Sequence, residues 1–418
     1  MPGAPPSIES RIRRYYLFDM LVAFQLWSPF WTLWLFQHAD AFEATLVDIV
    51  FWTVSLLVTM PAGALADKYG RKPALLVGNA IWVAGIALFG LADSLPMFGL
   101  ANGVWAFGAA FMWGTASAFL FDTLAEAGQE DRYPKIISRA AMLTFLATAV
   151  AAPLGGLLAQ ASQAFNLPLL VYSVPGLLAL GVAATFREPA VHRMPASNLL
   201  AQIRTGLQVT RRNRALVLII LFQVLISIVT YVVAFFRPVF IREIAGENYL
   251  LLGVVYGGFF LVAATGGLSI GRLLERMGEG GALRITFFLV FPPFLLMYPV
   301  GMGLLPPDVA IVLGVLTQVP YYIMWGFEGP VITTIINRRV LSSERATVLG
   351  INIFFTTLGL AIFEPLVGLL VDRLGLATAL GILAAVAVIP SGYIVAAFRR
   401  HEDSLPAVGP VLTPEHGR

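Results

Sequence analysis

Residues Gly63 to Leu76 read GALADKYGRKPALL. The stretch places Asp67, Lys68, Arg71 and Lys72 within six positions of a 418-residue chain in which only 12% of residues are charged. Apolar runs flank it on both sides. Overall 58% of the residues are hydrophobic and the mean hydropathy is +0.82. A soluble domain cannot wet its surface with so little charge. Runs such as Leu75 to Ala92, Ala140 to Ala161 and Ala215 to Phe236 are each long enough to cross ~30 Å of hydrocarbon at ~1.5 Å per residue. The composition therefore implies an integral membrane protein whose main partner is the lipid bilayer, and the charged stretch marks a short loop at the membrane surface.

Dividing the chain at its charged and Pro/Gly-rich interruptions predicts twelve transmembrane helices: 15–37, 44–66, 73–92, 96–124, 138–161, 167–187, 214–241, 248–275, 282–304, 308–337, 345–371 and 376–399. Barrel strands are excluded by the length of the segments and their lack of alternation. With both termini placed in the cytoplasm, 24 of the 27 basic residues fall on the inner side, leaving Arg237, Arg242 and Arg373 outside. This asymmetry is the positive-inside rule, and it predicts a multi-pass protein of the inner or plasma membrane. A pI of about 9.2 then needs no nucleic acid partner, since basic loops suit an anionic leaflet.

The chain also repeats itself. GRLLERMGEG at Gly271–Gly280 lies 208 positions after GALADKYGRK, PLGGLLA at Pro153 recurs as PLVGLLV at Pro365, and Arg139-Ala140 recurs as Arg345-Ala346. The predicted fold is accordingly all-α, with two pseudo-symmetric six-helix bundles: an N-terminal half at 1–187, a cytoplasmic connection at 188–213, a C-terminal half at 214–400 and a tail at 401–418. Transporters built from such repeats carry a site between the halves at mid-membrane and expose it alternately to either side.

At this point the sequence resembles a known family. GALADKYGRK fits G-x-L-x-D-x-x-G-R-K, the loop 2–3 signature of the major facilitator superfamily, and the resemblance extends over the twelve spans, the degenerate second copy and the long central loop. It implies a secondary transporter in which Asp67 and Arg71 belong to an inner-face charge network that latches the outward-facing state, with Asp122 as a partner for Arg71. Gly63 is expected to allow close helix approach and Gly70 the tight turn into helix 3. The alternative for these charges is a positive-inside anchor without a gating role.

Polar stripes suggest the substrate route. Gln318, Tyr321, Tyr322, Trp325 and Glu328 share a face of helix 10, and Gln223, Ser227, Thr230 and Tyr231 share one of helix 7. Gln25, Ser28 and Thr32 do so on helix 1, while Asn102, Trp105 and Trp113 lie near one face of helix 4. In the family these four helices line the central cavity. Each stripe taken alone could instead serve interhelical hydrogen bonding or an interfacial aromatic belt. An aromatic, amide-bearing cavity suits a small amphipathic or aromatic organic substrate.

Proton coupling requires a carboxyl group inside the membrane, and Asp19, Glu328 and Glu364 are the clearest candidates. Such a group is costly unless paired or protonated. Glu328 could couple protons, contact substrate or make a structural hydrogen bond. Glu364 could couple protons or bond the backbone carbonyl freed by Pro365, and Asp19 could pair with Arg13 or Arg14. AAPLGGLL at Ala151–Leu158 approaches the helix 5 pattern of antiporters in the superfamily, which favours export; uptake by symport and uncoupled facilitation are the alternatives.

The four histidines, His38, His192, His401 and His416, fall in loops or at helix ends, and no catalytic arrangement, metal-ligand cluster or phosphate loop occurs. The reading is therefore a proton-coupled exporter acting as a monomer without a cofactor, rather than a membrane-embedded enzyme or sensor.

Overall fold

A computed structural model describes residues 7–190, 208, 210–211, 213–266, 270–325, 332, 335–336, 339–340 and 345–402. The described residues form helices and connecting turns, with no strand among them. In chain order the helices are α1 (Ile8–Val22), α2 (Trp31–Leu35), α3 (Ala41–Tyr69), α4 (Arg71–Leu91), α5 (Leu95–Met112), α6 (Thr115–Ala125), α7 (Tyr133–Ser162), α8 (Leu167–Val171) and α9 (Ser173–Ala184). There follow α10 (Arg214–Ala245), α11 (Tyr249–Gly266), α12 (Ile270–Leu295), α13 (Met297–Gly301), α14 (Pro307–Leu316), α15 (Val319–Trp325), α16 (Arg345–Leu374) and α17 (Leu376–Glu402). Among the described residues, ten helical stretches are long and apolar enough to cross a membrane, and Tyr249–Thr265 is a shorter apolar helix.

The predicted first span, 15–37, is not continuous. The helix stops at Val22 and resumes at Trp31, with Pro29, which has no N–H to donate, inside the break. Carbonyls freed at such a break must find donors, because lipid offers none. Tyr172 Oη donates to the carbonyl of Val22 at 2.9 Å, and Thr148 Oγ1 donates to that of Ala23 at 2.7 Å. The predicted fourth span divides likewise into α5 and α6 at Gly114, whose φ is +80°.

Helices α1–α9 pack mainly among themselves, as do α10–α17, and the two sets meet where α7 lies along α11, α3 along α16 and α2 against α10. At the α7–α11 junction the backbones nearly touch. A Cβ on Gly156 would sit 2.7 Å from the carbonyl oxygen of Tyr249, and one on Gly257 would sit 2.7 Å from that of Ala149. Small residues permit this approach, the usual basis of helix association in lipid.

The junctions are tied at the end of the molecule away from the charged loop. Asp372 accepts the N–H groups of Ala41 and Phe42, Gln160 Oε1 accepts that of Tyr249, and Trp31 and Phe36 meet Phe235 with ring centroids 5.5 and 5.9 Å apart. At the charged-loop end, the pairs Arg11–Glu126, Arg132–Glu9 and Arg187–Glu126 all lie within the N-terminal set, and Arg339–Glu279 lies within the C-terminal set. Among the described residues, no ion pair at that end joins one set to the other.

Candidate functional site

The charged loop forms a compact network. Gly70, with φ +113°, turns the chain sharply between α3 and α4, a conformation that a side chain would strain. Arg71 then reaches Asp67 at 2.7 Å and Asp122 at 3.2 Å. Glu188 accepts the N–H groups of Arg71 and Lys72 at 2.6 and 2.7 Å. It thereby places an anion at the N-terminus of α4, where the exposed amides and helix dipole favour one. Glu188 was not singled out from sequence. Gly63 departs from expectation: a Cβ there would meet nothing within 4 Å, so no close helix approach depends on it.

The polar stripes fare differently from one another. Because helix 1 is broken, Gln25 lies in the break and Thr32 on α2, so Gln25, Ser28 and Thr32 do not share one helical face. Asn102 is buried and donates to the carbonyl of Val47 at 2.8 Å, joining α5 to α3. Trp105 is buried in an aromatic cluster, with ring centroids 4.7 Å from Trp27, 5.7 Å from Trp82 and 6.0 Å from Trp31. Trp113 is exposed. On α10, Gln223 Nε2 donates to Ser227 Oγ at 3.2 Å, and Tyr231 stacks edgewise on Trp52 across the α3–α10 boundary at 5.0 Å.

A polar cluster forms where α10 meets the start of α15. Arg237 was counted from sequence among the outer basic residues, but it is 3% exposed and belongs to the interior. Its Nε donates to Gln318 Oε1 at 2.9 Å and its Nη1 to Tyr322 Oη at 3.0 Å. The guanidinium lies over the rings of Tyr321 and Tyr322, 4.5 and 4.9 Å from their centroids. Gln318 in turn donates to Met297 Sδ and Thr317 Oγ1. Tyr321 stacks on Trp325, which is 43% exposed and also meets Phe145 of α7. The signal available in sequence was a lone Arg within a long apolar run, and a charge so placed is a functional candidate by default.

The carboxyl candidates separate clearly. Glu328 lies outside the described residues. Asp19 sits in the fourth turn of α1, and Arg14 is turned away to the carbonyl of Thr185 at 2.9 Å. Glu364 of α16 is 1% exposed and within hydrogen-bonding reach of Asp48 of α3, itself 9% exposed. Trp52 Nε1 donates to Asp48 Oδ2 at 2.9 Å, whereas both oxygens of Glu364 lack a donor when the two groups are charged. A proton on either carboxyl supplies the missing hydrogen bond. Asp48 is not among the carboxyl candidates that the sequence singles out. An apolar groove of about 630 Å³ lined by Phe24, Leu154, Leu158 and Val174 holds none of these groups.

The sequence profile of the Major Facilitator Superfamily matches residues 16–363. The chain belongs to that superfamily. It is 23% identical over 323 residues to Multidrug resistance protein 1 of Bacillus subtilis (strain 168), covering 76% of this chain and 77% of that one. Its fold is similar to that of the nucleoside transporter NupG, with a TM-score of 0.73, 15% identity, and coverage of 94% and 100% of the two chains. It is also similar to an inward-facing, unoccupied bacterial homologue of the human lysosomal transporter Spinster, with a TM-score of 0.74, 15% identity, and coverage of 97% and 100%. Family and fold are thus those of multi-pass membrane transporters rather than enzymes.

Proposed function

We propose that this protein exports small organic molecules in exchange for protons, by alternating access between an N-terminal and a C-terminal six-helix half. The observation that carries the coupling is the contact of Asp48 with Glu364 at the seam between α3 and α16. Two carboxylates in contact within a low-dielectric interior repel strongly, while one proton turns the repulsion into a hydrogen bond. A proton on the pair therefore holds the seam closed, and its loss loosens the seam. The basic loops favour a cytoplasmic side for the charged-loop end. On that reading, the ties at the other end support a state closed to the outside.

Export is supported by the helix 5 sequence AAPLGGLL, which forms the close α7–α11 junction, and by the likeness to a multidrug resistance protein. The Arg71 network, already formed within the N-terminal set here, is proposed to act as a latch in the opposite, outward-facing state by gaining contacts to the other half. The test is proton-driven accumulation of fluorescent amphipathic dyes of either charge in inverted membrane vesicles, comparing wild type with Glu364→Gln and Asp48→Asn. Gradient-driven transport should be lost while dye binding persists. Unchanged, uncoupler-sensitive pumping by both variants would remove the pair from the coupling mechanism.

A further inference from the structure

Arg237 presents a problem that the proposed transport cycle does not use. A guanidinium carries five N–H donors and a charge that never titrates away in a protein. Here Nε is spent on Gln318 and Nη1 on Tyr322, while Nη2 is buried with no well-formed hydrogen bond, although the Tyr321 hydroxyl is also close to the guanidinium. The neighbouring Tyr256 hydroxyl, 3% exposed at residue level, approaches the guanidinium but completes no well-formed bond either. Among the described residues, no carboxylate forms an ion pair with Arg237. Its surroundings are neutral phenols and an amide, which orient and partly solvate a cation without cancelling its charge. Buried charges are retained in membrane interiors where something pairs with them.

We infer that Arg237 is the recognition point for an organic anion, and that the substrate class of this transporter is a small aromatic carboxylate. This rests on the transporter reading and adds the charge and shape of what is carried. With Nε bonded to Gln318 and Nη1 to Tyr322, Nη2 is the nitrogen left without an acceptor, and with the second hydrogen of Nη1 it supplies a pair of donors that matches the two oxygens of one carboxylate. The Tyr322 hydroxyl lies on Nη1, and that of Tyr256 lies near the guanidinium. The aromatic requirement comes from the neighbouring surface. Tyr321 stacks on the half-exposed Trp325 with centroids 6.0 Å apart, and Trp325 meets Phe145 at 5.6 Å and Phe260 at 5.9 Å. This strip leads from an exposed ring contributed by α15 to the buried cation. A planar ring lies on such faces favourably, while its carboxylate completes the guanidinium.

The experiment uses the full-length protein in proteoliposomes and three ligands of one shape: 2-naphthoate, 2-naphthamide and 2-naphthylmethylamine. Binding is followed by tryptophan fluorescence, and gradient-driven dye transport is recorded in the same preparation as a separate check on the transporter reading. Wild type should bind the carboxylate at least tenfold more tightly than the amide or the amine. Arg237→Gln should abolish that preference while leaving the amide within about twofold, and Arg237→Lys should retain part of it. Tyr322→Phe, which keeps the charge and removes one tether, should weaken carboxylate binding by less than tenfold. The inference is overturned if wild type binds none of the three, prefers the amide or amine, or keeps its carboxylate preference after Arg237→Gln. A uniform loss of all three ligands in folded Arg237→Lys and Tyr322→Phe would also overturn it, since that is what a purely structural Arg237 would give. Dye transport that persists in those cases leaves the exporter reading intact.

Discussion

The carboxylate of Asp372, near the end of α16, accepts the backbone N–H of Ala41 at 2.9 Å, and its second oxygen accepts that of Phe42 at the same distance. A helix of the C-terminal set thereby caps the first turn of α3, while Asp40 takes the N–H of Glu43 at 2.8 Å. Loss of a capping side chain costs roughly 1 kcal/mol, which is about a fivefold change in an equilibrium. Asp372→Ala is therefore expected to raise the population open at this end by about fivefold. The chain has no cysteine, so Gln37→Cys with Leu304→Cys provides a clean pair of spin-label sites on exposed residues of the two helix sets. The long-distance fraction between the labels should grow in the Asp372→Ala background. An unchanged distance distribution would mean that the cap does not hold this end shut.

The two carboxylates around Arg71 should not be equivalent. Asp67 is an i,i+4 partner whose side chain is 59% exposed, whereas Asp122 comes from another helix and is 18% exposed. Exposed helical pairs contribute only about 0.3–0.5 kcal/mol. Asp122→Asn should accordingly lower the thermal midpoint of the purified protein more than Asp67→Asn does. Equal shifts would assign the network to the general field of the loop rather than to the link between α4 and α6.

What the sequence made legible was whatever composition and short motifs control. The apolar runs, the charged loop, the sharp turn at Gly70 and the Arg71–Asp122 pair could be read because each depends on local residues or on the family signature. Depth and pairing were harder. Arg237 reads as an outer-end residue because its span was expected to stop at 241, whereas α10 continues to Ala245. Asp48 likewise gains its meaning only from Glu364, more than three hundred residues away in the chain and brought beside it by the packing of α3 on α16. The break in helix 1 is not legible in hydropathy, because the residues that satisfy it, Thr148 and Tyr172, lie on α7 and at the α8–α9 junction.

At the α7–α11 junction, the prediction turns on space. A Cβ added at Gly253 would lie 2.5 Å from the carbonyl oxygen of Ala152 and 3.1 Å from the Cα of Pro153, both backbone atoms that cannot rotate away. Overpacking of this kind typically costs about 1–3 kcal/mol. Gly253→Ala should separate the two helices and populate the form open at this end, seen as a longer distance between labels at positions 37 and 304. Gly258→Ala on the same helix is the control, because a Cβ there meets nothing within 4 Å. If both alanine variants behave alike, close approach at Gly253 is not what sets the junction.

Tyr172 offers the sharpest separation of stability from transport. Its buried hydroxyl accepts the N–H of Trp82 at 2.9 Å and donates to the carbonyl of Val22 at 2.9 Å, so one oxygen serves both α4 and the broken end of α1. Tyr172→Phe preserves the ring and its packing on Trp27, but strands a buried indole N–H and one of the carbonyls exposed by the break. Leaving such groups unpaired costs about 1–3 kcal/mol each where no water can reach them. The thermal midpoint should therefore fall clearly, whereas Tyr172→Phe protein that remains folded should keep the ligand preference of wild type, because Tyr172 does not touch Arg237 or the Asp48–Glu364 pair. A variant with unchanged stability would show that the break in helix 1 is held by Thr148 and packing alone. A variant with normal stability but altered ligand preference would instead place the break itself in the substrate route.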